Sequence, residues 1–119
     1  MRINLFGAGY VGLVTAACLA EHGNQVLCID IDQEKVKRLK QGECPIHEPD
    51  LPALLQKNLA AGRLHFSTDP QQGVEHGFYQ FITVGTPQDK DGSADLTYAL
   101  DVARYIGKTL TEPKLIINK

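Results

Sequence analysis

Met1-Arg-Ile-Asn-Leu-Phe-Gly7-Ala-Gly9-Tyr-Val-Gly12-Leu, followed after Gly23 by Gln25-Val-Leu-Cys-Ile-Asp30, is the stretch whose reading decides the fold. An apolar strand, Arg2 to Phe6, runs into a glycine turn and then a helix from about Tyr10 to His22, with Gly23 suited to the left-handed position that closes it. The second strand, Gln25 to Asp30, carries the continuous apolar run of a parallel strand covered on both faces. A GxGxxG string by itself is weak evidence, because glycine-rich turns are common; its place between a strand and a helix makes it specific. There the unpaired amides of the first helical turn, carrying about half a positive charge, lie where a pyrophosphate can rest. Gly7 permits the tight turn, Gly9 lets phosphates approach the backbone, and Gly12 lets the helix pack closely on the strand. The alternative is that these glycines only shape a strand-to-helix turn in another kind of α/β domain.

Asp30 ends the second strand at the spacing expected of a carboxylate that accepts hydrogen bonds from an adenosine ribose. A 2′-phosphate about 4 Å from it would be repelled by roughly 4 kcal/mol per charge pair at an effective dielectric near 20. Heavily discounted for screening, that still disfavours NADP by about a hundredfold, so the expected cofactor is NAD. No arginine immediately follows Asp30, and Arg38 lies two helical turns further on. Asp30 could instead cap the next helix, a role that Asp32 fills better. Lys35 reads as an ordinary surface charge or as a second group within reach of the ribose. Val84-Gly85-Thr86-Pro87 reads as a strand-ending turn or as a loop lining the cofactor, with the Thr86 hydroxyl on offer.

Outward from this stretch, short apolar runs alternate with helical patterns, the mark of an α/β fold. The first helix is apolar nearly all round: Val11, Val14, Ala17 and Cys18 share one face, Leu13, Ala16 and Ala20 lie elsewhere, and the helix should be wedged against the sheet. A helix from Gln33 to Gln41, capped by Asp32, turns Val36 and Leu39 inward before Gly42. Another starts near Asp50 with Pro52 in its first turn and ends before Gly62. Strands at Leu64 to Thr68 and Tyr79 to Val84 flank a short helix beginning at Pro70. The last helix, about Asp95 to Leu110, should bury Leu96, Ala99, Leu100, Ala103, Ile106 and Leu110, and a strand at Lys114 to Asn118 follows. Five such strands make a Rossmann-type doubly wound parallel sheet, a three-layer α/β/α domain spanning 1–119. A chain stopping within one residue of an apolar strand, at the edge where such folds place ligands, is expected to be a piece of a longer protein.

At 119 residues, 43% of them hydrophobic, one domain is expected. The net charge of −2 comes from interspersed acids and bases, with no basic run to bind nucleic acid. No stretch approaches the ~18 apolar residues of a membrane span, and Met1 to Phe6 is too short for a signal peptide, so a soluble, cytoplasmic protein is expected. Cys18, Cys28 and Cys44 form no CxxC pair and should be reduced, with Cys18 and Cys28 as small buried hydrophobes and none of them catalytic. The four histidines lack metal-ligand spacing; His22 and His76, each before a helix-ending glycine, suit a capping role.

GAGYVGL (Gly7 to Leu13), DIDQEK (Asp30 to Lys35), PIHEPDL (Pro45 to Leu51), GRLHF (Gly62 to Phe66), VGTP (Val84 to Pro87) and DGSADL (Asp91 to Leu96) stand in the order and spacing of the UDP-glucose 6-dehydrogenases. Over nearly its whole length the chain thus resembles the amino-terminal, NAD-binding domain of the UDP-glucose/GDP-mannose dehydrogenase family. The resemblance implies a homo-oligomeric parent enzyme that oxidises UDP-glucose to UDP-glucuronate by two hydride transfers to NAD. It makes Tyr10 and Val11 part of the cofactor loop with Gly7, Gly9 and Gly12, Asp30 and Lys35 the adenosine-ribose ligands, and Thr86, beside Val84 and Gly85, a contact nearer the nicotinamide. His47 and Asp50 depart from the family's usual tyrosine and glycine. The family's nucleophilic cysteine, which traps the intermediate aldehyde, matches none of Cys18, Cys28 or Cys44, so the chain alone is expected to be inactive. GDP-mannose and UDP-N-acetylmannosamine 6-dehydrogenases are close alternatives, which DGSADL and the run from His76 to Pro87 weigh against. A stand-alone module that senses NAD is an alternative of another class, against which the uncovered apolar edge counts.

Overall fold

Ile3, Asn4, Leu5 and Phe6 are all buried because their strand has neighbours on both sides and helices on both faces. The computed structural model describes residues 1–85, 92 and 96–119. Among them, β1 (Arg2–Phe6), β2 (Gln25–Ile29), β3 (Leu64–Ser67), β4 (Tyr79–Ile82) and β5 (Leu115–Asn118) form one parallel sheet in the order β3-β2-β1-β4-β5. The helices are α1 (Tyr10–Glu21), α2 (Gln33–Lys40), α3 (Leu51–Ala60), α4 (Pro70–His76) and α5 (Thr97–Thr109).

The period-two alternation of β2 divides the core. Val26 and Cys28 pack with Leu13, Ala16 and Ala17 of α1, Val36 and Leu39 of α2 and Leu55 of α3. Leu27 and Ile29 join Phe6, Ile82, Val74 of α4 and Ile106 of α5 on the other face. The result is the expected three-layer, Rossmann-type domain. Chain order reverses between β1 and β4, so the segments that leave the carboxyl ends of these two paired strands run to opposite faces of the sheet and leave a crevice between them. Asn4 and Gln80, fully buried in the central strands, bond to each other at 2.9 Å, and the Gln80 amide also donates to α4 carbonyls, fixing α4 on the sheet.

β1 matches the limits read from sequence at both ends, and where other limits differ they lie one or two residues inside. β2 stops at Ile29, β3 at Ser67 and β4 at Ile82, because Asp30, Thr68 and Val84 turn out of the ladder toward the crevice. The structure decides one helix face that the sequence left open and changes another. On α1 the small residues Gly12, Ala16, Ala17 and Ala20 meet the sheet, whereas Val11 and Cys18 are exposed; a helix apolar all round carries no periodicity to say which side is inward. On α5, Ala99, Val102, Tyr105, Ile106 and Leu110 pack inward, while Leu96, Leu100 and Ala103 are exposed. Two apolar stripes overlap on that helix, and the sheet accepts the one containing Val102 and Tyr105. Among the described residues no helix is long and apolar enough to cross a membrane.

Candidate functional site

The crevice at the ends of β1 and β4 is a cleft of about 660 Å³. Its floor is the glycine turn, one wall is the segment after β2 with Asp30, Ile31 and Lys35, and the other is α5, through Tyr98, Val102 and Tyr105. Mostly apolar walls with a few polar groups at one end are what a nucleotide with flat bases and a charged middle requires.

The three glycines of the turn serve three different needs. Gly7 has φ of +110°, where a side chain is strained, and a Cβ there would lie 2.7 Å from the Thr83 carbonyl oxygen. At Gly12 a Cβ would lie 1.8 Å from the Gly7 carbonyl oxygen, so α1 could not come this close to β1 with any other residue. Gly9, the N-cap of α1, has nothing within 4 Å of such a Cβ: the protein itself would tolerate a methyl there, which would project into open space.

Asp30 is held from two sides. Its Oδ2 accepts from the Ala8 amide at 2.9 Å and its Oδ1 from the Asp32 amide at 2.9 Å. Lys35 Nζ stands 3.7 Å from Oδ2. Each carboxylate oxygen therefore retains a lone pair for a further donor, and the side chain, 13% exposed, borders the cleft. Asp32, and not Asp30, caps α2, through the Lys35 amide at 3.0 Å.

Of the residues singled out from sequence, Gly7, Gly9, Asp30, Lys35, Val84 and Gly85 come together around the cleft. Tyr10 and Val11 sit on the exposed start of α1 and Gly12 beneath it, none of them on the cleft wall. The Tyr10 hydroxyl instead reaches Glu48 at 3.2 Å, an interaction that raises its pKa. Thr86 lies outside the described residues, as do Pro87 and, in the DGSADL segment, Asp91, Ser93, Ala94 and Asp95. Sequence reasoning missed Thr83, whose hydroxyl is 2.9 Å from the Gly7 carbonyl, and the α5 wall. A hydroxyl at the end of an apolar strand was the signal for the first, and Tyr98, Val102 and Tyr105 at i, i+4 and i+7 for the second.

Cys28 is buried behind the glycine turn, and its burial, with Asp30 nearby, pushes its pKa up to about 12. Cys18 is exposed on α1, contrary to expectation, and the Cys44 thiol donates to the Ile46 carbonyl at 3.3 Å. None of the three borders the cleft. His22 is the C-cap of α1, its ring Nδ1 2.8 Å from the Cys18 carbonyl oxygen. His76 departs from the capping expectation: its Nε2 lies 3.0 Å from the Gln25 carbonyl, burial lowers its pKa, and the following Gly77 is extended. Among the described residues no three His, Cys, Asp or Glu side chains are placed to hold a metal ion.

Comparison with known proteins agrees with this geometry. The family model described as UDP-glucose/GDP-mannose dehydrogenase family, NAD binding domain, matches residues 1–119. The chain is 50% identical to a UDP-glucose 6-dehydrogenase of Pseudomonas aeruginosa over 119 residues, all of this chain and 26% of that protein. It superposes with a TM-score of 0.94 on a GDP-mannose dehydrogenase from Pseudomonas aeruginosa, crystallised as a ternary complex, at 41% identity over 99% of this chain and 28% of that one. A UDP-glucose dehydrogenase from Pyrobaculum islandicum gives a TM-score of 0.93 at 36% identity, over 100% of this chain and 28% of that one. The chain thus spans about a quarter of the length of the relatives it matches. The fold, the glycine turn with its carboxylate and the family match together make this chain an NAD-binding domain that belongs to the UDP-glucose/GDP-mannose dehydrogenase family.

Proposed function

We propose that this chain is the cofactor domain of a longer NAD-dependent sugar-nucleotide 6-dehydrogenase that oxidises UDP-glucose to UDP-glucuronate. The observation that carries the reading is the half-used carboxylate of Asp30, tied to the Ala8 amide of the glycine turn and open to the cleft. The residues fit the cofactor. Gly9 opens on free space beside the first turn of α1, where backbone amides can receive a diphosphate, and Asp30 with Lys35 stands where a ribose diol would be gripped. Gly7, Val84 and Gly85 complete the floor, Tyr10, Val11 and Gly12 contribute main chain at the start of α1, and the family resemblance assigns Thr86 a contact nearer the nicotinamide. Bound NAD supplies the hydride acceptor.

In this chain's own chemistry, the turn and Asp30 bind and orient, and Val102 and Tyr105 of α5 give the facing wall its apolar surface. The nucleophile is supplied from outside the domain, because Cys28 is a protonated, buried thiol and neither Cys18 nor Cys44 reaches the cleft. UDP-glucose is favoured by the 50% identity to a UDP-glucose 6-dehydrogenase. A GDP-mannose substrate is the second reading, favoured by the TM-score of 0.94 to a GDP-mannose dehydrogenase. Mixing the full-length protein with NAD and either sugar nucleotide, and following NADH, distinguishes them. Two NADH per UDP-glucose are expected; turnover of GDP-mannose alone would replace the first reading by the second, and reduction of NADP as fast as NAD would overturn the role given to Asp30.

A further inference from the structure

We propose that Thr83 is a positioning residue that orients Asp30 through the Gly7–Ala8 peptide, and thereby sets the affinity and the 2′-selectivity of the cofactor site. This rests on the role given to Asp30 above. A trans peptide is planar, so the Gly7 carbonyl and the Ala8 amide belong to one rigid unit and point in opposite directions. The amide side donates to Asp30 Oδ2 at 2.9 Å. On the carbonyl side, the Thr83 hydroxyl stands 2.9 Å from the Gly7 oxygen and the Cys28 thiol 3.6 Å from it. Turning that peptide out of the protein would break both ends at once.

Thr83 is the stronger of the two inner anchors. A thiol is a weak donor. The hydroxyl has one proton, and its other neighbour, the Phe6 carbonyl at 3.0 Å, already accepts the Thr83 amide at 2.8 Å. We assign the proton to Gly7, the nearer of the two carbonyls at 2.9 Å, whose own amide is fixed on the Ile29 carbonyl at 2.7 Å. Gly12 keeps room for this pair, since a Cβ there would lie 1.8 Å from the Gly7 oxygen and 2.9 Å from Thr83 Oγ1. Thr83 is 5% exposed and joins the turn to the end of β4, so the carboxylate at the end of β2 is aligned from a strand two places away in the sheet.

The test is a double-mutant cycle in the full-length protein, with calorimetric titration of NAD and of NADP. Asp30→Asn alone should weaken NAD and erase the preference over NADP; if it does neither, the role of Asp30 falls, whatever Thr83 does. Thr83→Val, which keeps shape and removes the donor, should weaken NAD by about tenfold and narrow the preference over NADP, the loss of one buried hydrogen bond. Thr83→Ser should restore both. In the Asp30→Asn background Thr83→Val should have little further effect, because the two act in series. Equal losses in both backgrounds, no loss in either, or a serine variant as weak as the valine one would overturn the proposal. If the valine variant does not fold, Thr83→Cys, a weaker donor of similar size, must fall between threonine and that prediction in the same cycle; wild-type affinity and selectivity in it would equally refute the role.

Discussion

The two ends of the sheet are both polar, and they use their polarity in opposite ways. At the carboxyl ends of the strands the Ala8 amide, Asp30 and Lys35 surround a cleft of about 660 Å³, and the carboxylate keeps unused acceptor capacity. At the amino ends a smaller hollow of about 390 Å³ is lined by Arg2, His76, Gly77 and Lys114. There the side-chain donors close on their neighbours: Arg2 Nε on the His76 carbonyl and its Nη2 on the His76 ring, His76 on the Gln25 carbonyl at 3.0 Å, and Lys114 Nζ on the Gly77 carbonyl at 2.8 Å and on Glu112 at 3.2 Å. Gly77 is required for that closure, since a Cβ would come 2.2 Å from the Arg2 carbonyl oxygen. A polar cluster that satisfies itself is a seam; one that leaves capacity facing an open cleft is a site.

The largest way to break this contrast is at Gly12. Gly12→Ala drives a methyl into the Gly7 carbonyl, and the relief must come from moving α1 off β1, at about 3 kcal/mol or more by analogy with overpacked cores. A denaturant titration should show that loss with or without cofactor. Gly9→Ala sharpens it from the other side. With nothing within 4 Å of its Cβ, stability should change by less than about 0.5 kcal/mol, while NAD affinity should fall by about tenfold or more because the methyl occupies the space the diphosphate needs. Equal affinities for wild type and Gly9→Ala in calorimetry would remove the diphosphate from that turn.

How much of this was legible beforehand follows from the range over which each feature is encoded. The glycine turn, Asp30 and the Asp32 cap were readable because their spacing reports local backbone, and Gly7, Gly23 and Gly42 do have positive φ. The inward faces of α1 and α5 were not: one helix is apolar on every side and the other carries two stripes, so the choice belongs to the sheet they pack on. Thr83 was missed because its partners lie 76 and 77 residues earlier in the chain, and no local pattern announces such a contact. His76 was misread for the same reason, since its ring answers to Gln25 and Arg2 on neighbouring strands and not to its own helix end.

His76 gives the smallest effect and the one that titrates. Burial lowers its pKa from 6.5, with Arg2, His65 and Lys114 adding cationic repulsion and the Gln25 bond partly opposing them. With Nε2 donating to the Gln25 carbonyl, Nδ1 is left to accept from Arg2 Nη2 at 3.3 Å, which only the neutral ring can do. Because the unfolded chain binds this proton more readily than the folded one, the stabilisation is complete above about pH 6.5 and is lost as pH falls through the lower folded value. The ring is only partly buried, so the loss should be shallow, a few degrees of melting temperature at most. His76→Gln, which cannot take up a proton, should flatten the melting curve's dependence on pH below 6.5 while leaving NAD affinity unchanged at either pH. A change in NAD affinity would mean that the two ends of the sheet are coupled, and the division between seam and site would have to be abandoned.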